Sequence, residues 1–171
     1  MIYKKAWKYI LTREDGYCTE YGYYRLKAIK NFSDVNRGRL GGYVDGYYNL
    51  SQSGNCWIYD FAEVHDKAYV FENANIKGFV YISDYARIFG NAQVLNEARV
   101  FGNAQISGNA VICDNVKVNG NAQIYENAKV SNNAHVSKNA RISGNTQVSG
   151  FTYIYGDINI KDKILTEGVY K

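Results

Sequence analysis

Few side chains in this chain have the type and spacing needed for chemistry. The sequence contains two histidines, His65 and His135, which lie 70 residues apart. A histidine that acts as general base needs a positioned partner group and a pocket. The local sequence around either histidine indicates neither feature. We therefore expect both to be solvated surface histidines.

The three cysteines point to neither a metal site nor a disulfide framework. Cys18, Cys56 and Cys113 are an odd number of thiols without the spacing of metal ligands. The pair Gly41-Gly42 is not followed by a phosphate-loop pattern, so a structural turn is expected there. The sequence thus predicts no catalytic residues, no metal site and no cofactor.

Both histidines, Cys56 and Cys113 lie in a six-residue repeat, called the array below, which runs without insertion or deletion over about residues 55–161. Its marker is a Val or Ile at every sixth position, found eighteen times. The markers are Ile58, Val64, Val70, Ile76, Ile82, Ile88, Val94, Val100, Ile106, Ile112, Val118, Ile124, Val130, Val136, Ile142, Val148, Ile154 and Ile160. A fixed short period of this kind decides the fold before any single element does.

The repeat predicts a triangular coil of short strands. Ala occupies the position two before most markers, and residues two apart point to the same face of a strand. The helical period of 3.6 would instead scatter the markers around a helix. With three hexads to a turn, residues eighteen apart stack, and one stacked column of corners is then entirely asparagine. Its members are Asn55, Asn73, Asn91, Asn109, Asn127 and Asn145. Stacked amides can form a hydrogen-bonded ladder.

The pattern [Val/Ile]-x-Gly-Asn-Ala-x closely resembles the hexapeptide-repeat, left-handed parallel β-helix family, and the resemblance covers about 107 of the 171 residues. It implies an all-β fold, a left-handed parallel β-helix of about six triangular coils. The left-handed winding is implied by the family and is an exception to the usual crossover rule.

The chain is expected to have three parts. Residues 1–53 form an N-terminal cap, 54–161 the β-helix and 162–171 a C-terminal cap tail. Within the cap, residues 3–30 read as a β-hairpin with a tight turn at Asp15-Gly16, and 31–46 as a loop with one short strand. The tail leaves the six-residue phase and is expected to lie across the last coil.

The N-terminal cap, residues 1–53, is called the leader below. It resembles the segment that precedes the hexads in a group of phage and prophage proteins. The resemblance rests on residues 25–35, 40–44, 49–51 and 54–59. Members of that group have Trp at the position of Tyr43. The group is mostly uncharacterised, so the resemblance implies a viral origin and no catalytic residue.

Charge and hydropathy narrow the range of partners. The formal net charge is +4, and residues 1–50 hold nine basic and five acidic side chains while the array is neutral. A basic, Tyr-rich leader is typical of nucleic-acid binding, but no nucleic-acid motif accompanies it here. Nucleic acid is therefore a less favoured partner than protein. No run of eighteen apolar residues occurs, so we expect no membrane contact and a cytoplasmic location, in the host cell if the protein is viral.

Outward aromatic and basic residues suggest contact surfaces, since exposed apolar patches often mark interfaces. The candidate partner-binding residues are Trp57, Tyr69, Phe71, Tyr81, Arg87, Phe89, Arg99 and Phe101. The candidate residues for a homo-oligomer, a dimer or trimer, are Leu95, Val111, Cys113, Phe151, Tyr153 and Tyr155. The alternative is that the leader covers the first aromatic group.

The first functional hypothesis is a non-enzymatic protein-binding module, phage-encoded, that blocks a host factor by steric occupation. A host enzyme or a defence complex such as CRISPR-Cas would be its target. It rests on the leader resemblance and on the missing chemistry.

Two alternatives remain open. The first is an acyl-coenzyme A-dependent acyltransferase working as a trimer, which the family resemblance implies, with His135 as the histidine to test. Loops that interrupt the hexads usually help to build such active sites, and this array has no interruption. The second is a phage structural or assembly protein whose coil ends stack.

Two further activities known on this fold are disfavoured. Zinc-dependent carbonic anhydrases of this fold use three histidine ligands, and two histidines cannot supply them. Ice binding would need regular outward arrays, usually of Thr, which are missing here.

Overall fold

The computed structural model of the chain describes residues 7–13 and 16–171, and within these ranges almost all regular structure is β. One short helix, α1, spans Gly16–Tyr21. The strands in chain order are β1 (Tyr9–Thr12), β2 (Tyr24–Ala28), β3 (Leu40–Val44), β4 (Trp57–Ile58), β5 (Glu63–Val64), β6 (Tyr69–Val70), β7 (Asn75–Gly78), β8 (Tyr81–Ile82), β9 (Arg87–Ile88), β10 (Gln93–Asn96), β11 (Arg99–Val100), β12 (Gln105–Ile106), β13 (Val111–Ile112), β14 (Lys117–Val118), β15 (Gln123–Ile124), β16 (Lys129–Val130), β17 (His135–Val136), β18 (Arg141–Ser143), β19 (Gln147–Ile154), β20 (Asn159–Lys161) and β21 (Ile164–Tyr170).

The array strands stack in parallel on three faces of one coil. The first face is β3-β5-β8-β11-β14-β17 followed by the C-terminal part of β19. The second face is β4-β7-β10-β13-β16 followed by the N-terminal part of β19, and the third is β6-β9-β12-β15-β18-β20. The predicted parallel β-helix is therefore confirmed. Because β3 of the leader adds a strand below β5, the coil is longer than the hexad array alone.

The core is a narrow column filled by two side chains from each hexad. Every Val or Ile marker is buried, and most are completely inaccessible to solvent. The residue two positions before each marker, most often Ala, is buried as well. The exception is Ile158, which is partly exposed. Each fully buried Val or Ile contributes roughly 1.5–3 kcal/mol. The predicted inward positions thus form the core.

Amide ladders run along the corners, as the stacked columns predict. Asn73 Nδ2 donates to Asn91 Oδ1 at 3.2 Å, and the chain of bonds continues through Asn109 and Asn127 to Asn145. A second ladder begins at Asn103 Nδ2, which donates to Asn121 Oδ1 at 3.0 Å. These bonds tie each coil to the next at its exposed edges.

The corner residue before each Asn adopts positive φ, which explains the frequent Gly. Gly108 has φ of +66°, and a Cβ there would lie 2.8 Å from the Glu126 nitrogen in the next coil. Where Glu126 itself fills this position its φ is +59°. Such non-Gly residues adopt a conformation that L-amino acids disfavour.

The leader continues the first face as an antiparallel sheet. Strand β1 pairs with β2 and β2 with β3, which then pairs in parallel with β5. The predicted pairing of the two hairpin strands is confirmed, but their connection contains α1, so the tight turn is wrong at Gly16; Asp15 lies outside the described residues. The helix buries Cys18 and places Tyr17 against Tyr43, contacts that a two-residue turn could not make.

Gly41 and Gly42 lie in β3 and not in a turn. A Cβ on Gly42 would overlap the Ala62 carbonyl oxygen, and one on Gly41 would overlap Trp57 and Ile58. The two glycines therefore let the leader strand approach the first coil closely.

The tail lies across the last coil, as predicted. Strand β21 pairs in parallel with β19 over both of the faces that β19 spans. The predicted boundaries of leader, array and tail stay predictions.

Asn109→Ala should lower the free energy of unfolding by about 1 kcal/mol, because it removes two ladder hydrogen bonds that are exposed and therefore modest. The matched control is Asn115→Ala, an exposed corner Asn outside the ladders. Urea denaturation followed by circular dichroism measures both. Equal losses for the two variants would contradict a stabilising role for the ladder.

Candidate functional site

The two histidines lie in different surroundings on the first face. His65 directly follows β5 and His135 begins β17, two strands of the same face, but the leader reaches only His65. His65 is 4% exposed, whereas His135 is half-buried. The expectation of two solvated histidines is wrong for His65, because leader side chains cover it.

Both ring nitrogens of His65 are occupied. Nδ1 lies 2.9 Å from an Asp45 carboxylate oxygen, and Nε2 lies 2.9 Å from Glu63 Oε2. The Tyr23 ring packs on the imidazole at a centroid distance of 4.3 Å. Tyr17 of α1 donates its hydroxyl to the other Glu63 oxygen at 2.5 Å. His65 therefore pins the leader to the first coil and has no free nitrogen for proton transfer.

The electrostatics of this cluster favour the charged imidazolium. Burial by itself would lower the His65 pKa, but hydrogen bonds and the charges of Glu63 and Asp45 outweigh burial and leave the pKa raised. Hydrogen bonding to His65 holds the Glu63 pKa below its usual range. Both shifts favour the charged pair over its neutral form.

His135 lies in the wall of an open cavity of about 610 Å³ on the same face. The side chains along its walls come from the outward columns of successive coils. The lining residues are Phe79, Glu97, Arg99, Asn115, Lys117, Asn133, Ala134, His135, Phe151 and Tyr153. This volume is within the range of small-molecule sites. The sequence-based expectation that His135 lacks a pocket is wrong, because stacking joins residues far apart in the chain.

His135 also has a positioned partner. Its Nε2 lies 3.0 Å from the Asn119 side-chain amide in the coil before it, and its ring meets the Tyr153 ring at 6.1 Å edge-on. Asn119 Nδ2 donates to Nε2 in this orientation, which places the ring proton on Nδ1; the flipped amide would present Oδ1, place the proton on Nε2 and leave Nδ1 as the acceptor. The remaining ring nitrogen is left available to a bound molecule.

Burial and the Lys117 charge lower the His135 pKa. The imidazole is therefore neutral at neutral pH, the form in which a histidine accepts a proton. Arg99 and Lys117 are exposed on the preceding coils of the same column, so the cavity wall carries two cations beside one acid, Glu97. Such a wall suits an anionic ligand.

Aromatic rings lie at the two ends of this cavity. Phe79 is 69% exposed at the leader end, where it stacks on Phe61 at 5.5 Å, and Phe151 is 68% exposed at the tail end. Tyr81 and Tyr153 lie beside them in the neighbouring column. The cavity is thus a polar trough between two apolar ends.

The candidate partner-binding residues do not form one patch. Trp57 is fully buried among leader side chains, packed on Tyr9 and Phe32, so its prediction as a contact residue is wrong. The rest divide between two faces. Tyr69, Phe71, Arg87 and Phe89 lie on the third face, and Tyr81, Arg99 and Phe101 lie on the first.

The candidate oligomer residues are divided in the same way. Leu95, Val111 and Cys113 are half-buried on the second face, as the hexad phase predicts. Phe151, Tyr153 and Tyr155 lie on the first face, where two of them belong to the His135 cavity. Whether either set meets a second copy stays a prediction.

Sequence reasoning missed Asn119 as the partner of His135 and Phe79 as a lining residue of the cavity. Asn119 is sixteen residues before His135, one coil earlier and two positions further along the hexad. Comparing neighbouring columns as well as single ones would have shown this contact.

Two further observations concern the described part of the chain alone. It contains no cluster of three or more His, Cys, Asp or Glu side chains arranged to hold a metal ion. None of its helices has the length and hydropathy required to span a membrane.

Comparison with known proteins gives one informative similarity. The chain is 50% identical over 36 residues to an uncharacterized acetyltransferase, YdcK, of Escherichia coli K12. The matched segment is 21% of this chain and 11% of that protein, so the chain matches only a small part of its relative. No family model matches the chain. The segment and the coiled fold together fit a hexapeptide-repeat β-helix.

This similarity contradicts the first functional hypothesis. The relative carries the name of an acetyltransferase, not of a phage-encoded inhibitor. The interpretation as a non-enzymatic module that blocks a host complex is therefore corrected in favour of the acyltransferase alternative.

The two histidines should affect stability with opposite pH dependence. The His65 pKa is raised on folding, so its contribution is complete below the unfolded value of about 6.5 and is lost as pH rises through the folded pKa. The His135 pKa is lowered, so its contribution is present above that unfolded value and is lost on acidification.

Urea midpoints between pH 5 and pH 9 test this difference. In His135→Gln the midpoint should fall as the solution becomes alkaline, because His65 then loses its proton between two carboxylates. In His65→Gln that alkaline fall should vanish. The raised pKa values of Tyr17 and Tyr23 keep both phenols protonated in this range. An alkaline fall that persists in His65→Gln would assign the effect to another group.

Proposed function

We propose that this chain is an acyltransferase that moves an acyl group from a thioester donor to an amine or hydroxyl of a small acceptor, with His135 as general base. The observation that carries the proposal is the neutral, partnered His135 in a cavity whose wall holds Arg99 and Lys117. The similarity to a protein named as an acetyltransferase supports the same reaction class.

His135 would accept the proton of the attacking group. The acceptor nitrogen or oxygen then bonds to the thioester carbonyl carbon, the carbon–sulfur bond breaks, and the proton goes to the departing thiol. A base whose pKa is lowered by burial stays unprotonated at neutral pH, which keeps it ready for this step. With its amide flipped so that Oδ1 faces Nε2, Asn119 would accept the Nε2 hydrogen and leave Nδ1 unprotonated to take the proton.

Arg99 and Lys117 would bind the donor. Carriers of activated acyl groups such as coenzyme A have phosphates, and two stacked cations fit a diphosphate. Neighbouring strands are about 4.8 Å apart, a spacing that lets both side chains reach one ligand. The exposed Phe79 and Phe151 rings offer apolar surface to the rest of the donor or acceptor.

The proposal includes a homotrimer in the cytoplasm. The His135 cavity is open along the first face, and Phe151 and Tyr153 border it there. A neighbouring copy against this face would cover the cavity and exclude water. The phage origin suggested by the leader stays a prediction that this proposal does not need.

Replacing His135 by Ala should lower kcat/KM about 10²–10⁴-fold, the usual contribution of a general base. Release of free thiol from acetyl-coenzyme A, measured over a panel of amino sugars and diamines, gives the rate. Gln123→Ala is the matched control, a half-buried residue at the same hexad position on the third face. The wild-type rate should rise with pH through a value below 6.5 and then stay level, because the neutral imidazole is the active form.

Thiol release at background level with every acceptor would oppose the proposed reaction class. Equal activity of His135→Ala and wild type would remove His135 from it. Loss of activity in Gln123→Ala as well would point to a disturbed coil instead of a lost base.

Lys117→Ala should weaken binding of coenzyme A about 10-fold, equivalent to one charge-assisted hydrogen bond, and the difference should shrink at high salt. Titration calorimetry measures both effects. The control is Lys129→Ala, an exposed lysine at the same hexad position on the second face. Equal weakening in both variants would mean that the ligand responds to net charge and not to this cavity.

A further inference from the structure

A buried amine and a buried thiol are in contact where the leader meets the first coil. Lys8 Nζ lies 3.2 Å from Cys56 Sγ, and the two residues are 1% and 0% exposed. Lys8 immediately precedes β1, whereas Cys56 fills the small inward position of the first hexad. The proposed acyl transfer, near the other end of the first face, uses neither residue.

Backbone carbonyl groups hold the amine on the sulfur. Lys8 Nζ donates to the carbonyl oxygens of Cys56 at 2.8 Å and Gly54 at 3.1 Å, and that of Ser53 lies at 3.4 Å. The lysine side chain thus has little freedom to leave the thiol. A pair fixed at this distance needs no rearrangement to form a bond.

A cavity of about 510 Å³ opens beside Lys8, with Phe32, Gln52 and Gly54 among its other lining residues. Cys56 does not line this cavity, but its Sγ lies 3.2 Å from the Lys8 amine, so a small oxidant in the cavity would approach the sulfur past that amine. Hydrogen peroxide is only slightly larger than water and can enter such a space. Larger thiol reagents would be excluded, since Cys56 itself is fully buried.

Burial also changes the protonation of both groups. It lowers the pKa of Lys8, so a larger share of the amine is uncharged and nucleophilic than on the surface. It raises the pKa of Cys56, so thiolate is scarce and oxidation is slow.

We propose that Lys8 and Cys56 are a modification site at which a peroxide joins the two side chains through a nitrogen–sulfur bond. The thiol sulfur attacks the peroxide, the oxygen–oxygen bond breaks, and Cys56 becomes a sulfenic acid with release of one water. The Lys8 amine then attacks this sulfur, the sulfur–oxygen bond breaks, and a second water leaves. Thiol, amine and one hydrogen peroxide thus give a sulfenamide and two waters, a condensation known for sulfenic acids and nitrogen.

The bond would clamp the leader onto the array. It joins residues 8 and 56 and so closes a loop that contains most of the leader. Such a crosslink restricts the unfolded chain and raises the resistance of the leader to unfolding. A reducing thiol would reopen it, which makes the clamp responsive to the redox state.

The test treats the reduced full-length chain with hydrogen peroxide and maps the product after peptic digestion at acidic pH. The expected product joins the Lys8 and Cys56 peptides with loss of two hydrogens, about 2 Da, and dithiothreitol reverses it. Trypsin should no longer cleave after Lys8. The thermal midpoint of the oxidised protein should rise above that of the reduced protein.

Two variants keep the test clear. Cys56→Ala places at this position the residue that most hexads already have, so the coil should fold and neither crosslink nor thermal shift should appear. Lys8→Arg retains the positive charge and donors but lacks the amine, so Cys56 should stop at a sulfenic acid that dimedone traps.

Three results would overturn the proposal. One is Cys56 carrying one or two extra oxygens while trypsin still cleaves after Lys8. Another is the same mass loss mapped to a disulfide that includes Cys18 or Cys113. The third is an unmodified Cys56 under conditions that oxidise Cys113. None of these results bears on the His135 reaction.

Discussion

The parallel hydrogen bonding between consecutive coils is the interaction on which the rest of the structure depends. Backbone nitrogens donate to carbonyl oxygens seventeen residues later, as from Gln105 to Ala122 at 2.9 Å and from Lys117 to Ala134 at 3.0 Å. One inserted residue would shift every later side chain to the opposite side of its strand. The ladder therefore keeps the strands in one six-residue phase, which brings residues eighteen apart into columns.

Columns convert a repetitive chain into a surface with local chemistry. The inward columns are nearly uniform, but the outward column of the first face runs through Tyr81, Arg99, Lys117, His135 and Tyr153. These residues are dispersed along the chain and adjacent in space. The cavity at His135 exists because Phe79 and Phe151 project at its ends while shorter polar side chains lie between them. A concave site can thus arise on this coil without a loop that interrupts the hexads.

The leader is positioned by different interactions from those that build the array. It has no repeat, and its position depends on particular contacts: the Gly41-Gly42 approach, the buried Trp57 and the charged His65 cluster. Burying charges is costly unless each has partners, and here His65 has two carboxylates while Lys8 has carbonyl groups and a thiol. These polar contacts determine where the leader docks more strictly than apolar packing alone would.

The sequence by itself determined the coil, its inward residues and the asparagine ladder. This was possible because the alternation of side chains along a strand depends only on neighbouring residues, and the same pattern recurs in every hexad. The hexad positions of Leu95, Val111 and Cys113 likewise predicted that these side chains point outward on one face. Only the tertiary structure decided that Trp57 and His65 are buried and that Asn119 meets His135, because these depend on the docking of a non-repetitive leader and on side chains of different coils. The six-residue period determines whether a side chain points inward or outward. Side chains of neighbouring coils determine its pKa, its hydrogen-bond partners and the cavity that it lines.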